Sequence, residues 1–133
     1  MNTTGTIMAV VVFVAYIGFE GWAAHKVRYR IEPLYIHDRW VEAQHALGRC
    51  AEPEPGQLEK FWRNFVSVTR NASEDLAERN PEQSADDITE SLQLRAAERE
   101  QAVDAVIDAK GCANAQVKVW LRRFEIYARL NLG

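Results

Sequence analysis

Cys50 and Cys112, the three histidines His25, His37 and His45, and the carboxylate of Glu20 are the side chains here whose type and spacing could do chemistry. Both cysteines stand in polar, loop-like sequence, GRCAEPEPG and KGCANAQ. Free cysteines favour burial, so this placement points to a disulfide in an oxidising compartment rather than to a reactive thiol. A Cys50–Cys112 bond would close a loop of about 62 residues, worth on the order of 4 kcal/mol in the chain-entropy account.

The histidines form no such pair. His37 and His45 are eight apart, so on a helix they point about 80° apart and lie ~12 Å from each other along the axis. They cannot share a metal without help from another chain, and a place on a helix surface is the simpler expectation. His37-Asp38 invites a hydrolytic reading with Cys50, but that thiol falls 13 residues on, at the far end of the same helix. There is no Gly-rich phosphate loop, zinc-type cysteine pair, haem-attachment motif or nucleophile elbow in the sequence. The expectation is a protein that is not an enzyme and carries no cofactor.

Glu20 is costly where it stands. Residues 7–19 read IMAVVVFVAYIGF without a charge, and the apolar character continues past Glu20 as far as Ala24. A helix over 7–24 is roughly 27 Å long at ~1.5 Å per residue, enough to cross a hydrocarbon core of about 30 Å with its flanks filling the interface. Trp22 falls where an aromatic belt belongs, and Lys26, Arg28 and Arg30 fall at headgroup level. The first six residues contain no Lys or Arg, unlike the basic start of a cleavable signal peptide. A carboxylate within a span is a functional hypothesis by default. Ala15, Gly18 and Gly21 recur at three-residue intervals beside Glu20 and would admit a neighbouring transmembrane helix.

Topology is pulled two ways. Basic residues only after the span place the remainder in the cytoplasm, whereas the cysteines place it outside. Large domains translocate with little regard for flanking charge, so the extracytoplasmic side is the expectation and the cytoplasmic side its alternative. Twelve Arg against four Lys suggest a high-GC bacterium and hence its inner membrane, with a eukaryotic organelle as the alternative.

The elements that must position these groups are helical. The segment 33–48 opens at Pro33 and carries Ile36, Trp40, Ala43 and Leu47 on one stripe. A second, 57–79, carries Leu58, Phe61, Phe65, Val68, Ala72 and Leu76, and Asn80-Pro81 ends it. The third opens on Ser84 with Asp87 three residues later, a capping-box spacing. It carries Ile88, Leu92, Ala96, Val103 and Ile107 and closes at Lys110-Gly111. The fourth, 114–132, carries Val117, Trp120, Leu121, Phe124, Tyr127 and Ala128. Trp120 and Phe65 are the expected buried anchors. No stretch shows sustained period-two alternation.

The reading is therefore all-α: a tail over 1–6, a single transmembrane helix over 7–24, a basic connector over 25–32 and an antiparallel bundle of about four helices over 33–133. An up-down-up-down order puts Cys50 and Cys112 at the same end of that bundle.

At 133 residues, 47% apolar and 26% charged, the chain has the composition of one folded domain. A net charge of −3 and a pI near 5.6 argue against a nucleic-acid partner. Charge is uneven: residues 72–108 hold eleven acids and three bases, residues 110–133 one acid and five bases. Either adjacent helices attract weakly through these faces, or one is presented to an oppositely charged partner. The functional expectation is a non-catalytic accessory subunit of a larger membrane complex, its partners being other transmembrane subunits and the bilayer. The alternative is a free-standing tethered module, an adaptor or immunity-type inhibitor.

Overall fold

Pro33, with its fixed φ and no N–H to leave unpaired, opens the first of four helices in a computed structural model that describes residues 32–133. The helices are α1 (Pro33–Cys50), α2 (Pro55–Arg79), α3 (Ala85–Lys110) and α4 (Ala115–Arg129). There is no strand among the described residues. No helix among them is long and apolar enough to cross a membrane. The expected span over 7–24, with Ala15, Gly18, Glu20 and Gly21 and the anchors Trp22, Lys26, Arg28 and Arg30, lies outside the described residues, as does His25.

Local chemistry sets the boundaries. Ser84 caps α3 by accepting from the Asp87 amide at 3.1 Å, and the Asp87 carboxylate accepts from the Ser84 amide at 3.3 Å. Asp thus serves where Glu is usual in a capping box. Asn114 caps α4 through the Gln116 amide at 2.9 Å. Gly111 ends α3 at φ 84°, ψ 170°, a region open essentially only to glycine, while its amide bonds Ile107 O at 2.8 Å. α4 stops at Arg129, three residues short of the expectation. The reason is a competing partner: Asn64 of α2 donates to Tyr127 O at 3.0 Å and Leu130 O at 2.7 Å and accepts from the Leu132 amide at 3.0 Å. Ser67 adds a bond to Leu132 O at 3.1 Å. The last residues are therefore bound along α2 as an extended tail.

Side-chain pairings fix the directions. Asp38, Glu42 and Arg49 of α1 meet Arg95, Arg99 and Asp108 of α3 in ascending order, so these two helices are parallel. Phe61 with Phe124 and Asn64 with Tyr127 make α2 and α4 parallel likewise. Alternate helices run together, as the up-down-up-down order requires. Neighbourhood is less simple, because α1 packs on all three others while α3 and α4 meet least.

The core follows from that central helix. Trp40, Ala43 and Leu47 pack with Phe61, Val68, Phe124 and Ala128. Ala46 packs with Val103, Ile107, Val117 and Trp120 near the cysteine end, and Leu34 packs with Ala72 and Leu92 toward the other. Trp40 is the centre of an aromatic stack, 4.3 Å from the Tyr127 ring and 4.9 Å from Phe61. Trp120 is buried as expected; Phe65 is only partly buried, and Phe61 is the fully enclosed anchor of α2. Phe61 and Phe65, four residues apart, are offset by about 40° around the helix axis. Here that offset turns Phe61 inward and brings Phe65 to the rim.

Candidate functional site: an arginine-rich face over the central helix

α1 has a second buried face, and it is acidic. Asp38 and Glu42 are 8% and 5% exposed, one helical turn apart, and both look toward α3. A buried carboxylate is tolerated only with partners. Asp38 takes Arg95 side-on, Nε to Oδ1 at 2.8 Å and Nη2 to Oδ2 at 2.9 Å. Glu42 Oε2 accepts from Arg39 at 2.8 Å and from Arg99 at 3.3 Å. Its other oxygen faces Arg123 of α4 at 3.9 Å, beyond hydrogen-bond reach.

Three helices thus send guanidinium groups to one patch. Arg39 is also held beneath, its Cζ lying 4.6 Å from the centre of the Tyr35 ring, a cation–π contact. Arg39 Nε is buried with no hydrogen-bond partner among the described residues. Beside the Asp38–Arg95 pair, three guanidinium groups, those of Arg39, Arg99 and Arg123, face the one carboxylate of Glu42 among the described residues. The carboxylates are sealed below, while the side chains of Arg95, Arg99 and Arg123 keep 43%, 35% and 33% of their exposure. Burial raises the Tyr127 hydroxyl above its usual pKa, with the Arg123 and Arg39 charges opposing the shift.

Toward the cysteine end the α1–α3 seam changes sign. Arg49 bonds both Asp104 and Asp108, and His45 Nε2 stands 2.8 Å from Asp104 Oδ1. An ionised carboxylate only accepts, so His45 donates there. Hydrogen bonds from Arg49 and His45 hold the Asp104 carboxyl below its usual value. Just beyond, Cys50 and Cys112 meet as a disulfide with Cα atoms 5.6 Å apart, at one end of the bundle as the topology demanded.

The histidines were expected on a helix surface, and here the structure differs. His37 is only 4% exposed, its ring 5.6 Å from that of Phe65, and its Nδ1 has no hydrogen-bond partner among the described residues. Burial lowers its pKa, against the pull of Asp38 and with the help of Arg95. His45 is half-buried in the seam. Among the described residues no three His, Cys, Asp or Glu side chains are grouped to hold a metal.

Sequence reading met Asp38 only as a neighbour of His37 and passed over Glu42 and the arginines that meet both carboxylates. One signal was present. The apolar stripe of α3 breaks off between Leu92 and Val103, leaving only Ala96, and Arg95 and Arg99 fill the inward turns of that gap. Elsewhere on the surface, Trp62, Phe65, Val66, Thr69 and Arg70 of α2 line a shallow groove of about 360 Å³. Compared with known protein families, with characterised proteins and with solved structures, the chain matches none.

Proposed function

We propose that the chain is a non-catalytic accessory subunit of a larger membrane protein complex, anchored by a transmembrane helix over 7–24 and docking through its helical domain. The observation that supports this reading is the arginine-rich face. Its charged groups are fixed by internal carboxylates and aromatic contact, with Arg99 and Arg123 about a third exposed and three guanidinium groups sharing the carboxylate of Glu42. Fixed arginines beside an exposed tyrosine are the composition of protein contact surfaces. The partners in this reading are other transmembrane subunits and the surrounding lipid. The Cys50–Cys112 pairing favours the extracytoplasmic side of a bacterial inner membrane, where such a bond persists.

Extraction in mild detergent followed by native mass measurement tests the reading. The expected result is stoichiometric co-purification with larger membrane proteins. Recovery of the chain alone, at its own 15.2 kDa or a small multiple of it, would overturn docking in favour of a free-standing module.

A further inference from the structure

We propose that the face formed by Arg39, Arg99 and Arg123 over Glu42 is a binding site for carboxylates of an acidic protein segment. The inference rests on the docking reading and adds the chemistry of the partner to it.

The argument begins with supply and demand at Glu42. A buried carboxylate needs about one cation, and Arg39 at 2.8 Å already provides it through a direct bond. Arg99 at 3.3 Å is a second. Arg123 approaches the remaining oxygen without bonding it, at 3.9 Å, and Glu42 is its ion-pair partner among the described residues. Each guanidinium carries five N–H donors in a rigid fork. Glu42 therefore takes only part of this donor set, and the side chains of Arg99 and Arg123 keep 35% and 33% of their exposure.

Position favours a protein segment over a small ion or a lipid headgroup. The cations come from the middle of α1, α3 and α4, so they line the flank of the bundle rather than one tip. Tyr35, 52% exposed beside Arg39, extends the patch with an aromatic face suited to the stem of a Glu or Asp side chain. A carboxylate matches the guanidinium fork two oxygens to two N–H groups, as Asp38 already does on Arg95 in this protein. Holding the arginines in place beforehand removes much of the ordering cost that surface side chains pay on binding.

The test titrates the full-length chain, in uncharged detergent at low salt, with a decaglutamate peptide followed by calorimetry. Saturable one-to-one binding that weakens as salt rises is expected. Arg123→Gln should weaken it about tenfold, the loss of one charge-assisted contact. Arg123→Lys keeps the charge and removes the fork, and an intermediate loss is expected. Arg63→Gln, on an exposed position of α2, should leave binding unchanged. Absent saturation, or equal losses in Arg63→Gln and Arg123→Gln, overturns the site. Inorganic phosphate binding as tightly as decaglutamate overturns the assignment to a protein segment. If the native subunits co-purify equally with wild type and Arg123→Gln, docking stands and this face is not its seat.

Discussion

Asp38 and Arg95, 57 residues apart in sequence, meet fork to fork at 2.8 and 2.9 Å and set α3 against α1 in parallel register. The carboxylate is buried and the guanidinium half open, so removing either end has unequal consequences. Asp38→Ala removes both hydrogen bonds of the fork while the guanidinium keeps its contact with water, and should cost about 1–3 kcal/mol. Replacing both by leucine should cost less than the sum of the single changes, because the desolvation cost vanishes with the charges. A double-mutant cycle by urea denaturation measures the coupling.

Stability should fall on mild acidification, and His37 is the group to watch. Its pKa is lowered by burial, from an ordinary 6.5, so the unfolded chain binds a proton more readily than the folded one. Its contribution is complete above the unfolded value and is lost as pH falls from about 6.5 through the folded one. Asp104, also lowered, acts in the same direction but only in the acid range of carboxylates. His37→Phe should flatten the slope between about pH 7 and 5, read as the melting temperature at each pH.

Reduction of Cys50–Cys112 should lower stability by on the order of 4 kcal/mol without dissolving the helices. Circular dichroism of reduced and oxidised protein, each melted under the same conditions, provides the comparison. Equal melting curves would count against the bond as a stabiliser of the native chain.

The aromatic core gives a contrast between near neighbours on α2. Phe61 is fully enclosed, and Phe61→Ala should cost about 3–5 kcal/mol. Phe65 lies at the rim of the groove, and its truncation should cost roughly half as much. Denaturant midpoints of the two variants separate the cases.

Much of this architecture was legible because it is written in local terms. Capping at Ser84, the stop at Gly111, the breaker Asn80-Pro81 and the apolar stripes all act within a turn or two. The shared end of Cys50 and Cys112 then followed from alternation of direction alone. What escaped was non-local. Asp38, Glu42 and His37 look like surface residues by type, and only their arginine and aromatic partners, supplied by other helices, make burial affordable. The end of α4 escaped for the same reason, since Asn64, more than sixty residues away, draws the tail out of the helix. The uneven charge is a pattern of sequence, but its pairings are not: α3 and α4 touch least, and Asp104 and Asp108 of α3 pair with Arg49 of α1.

The position of Trp40 carries a consequence for how the protein is made. Its ring is flanked by Phe61 of α2 and by Tyr127 of α4, 87 residues further along the chain. During synthesis the indole therefore leaves the ribosome long before its final cover does. A nascent chain halted anywhere before α4 presents the core of its central helix to the surroundings, the condition in which misassembly and chaperone capture begin. Folding to the native packing is thus tied to the synthesis of α4, and a chain truncated within that helix should be cleared rather than stored.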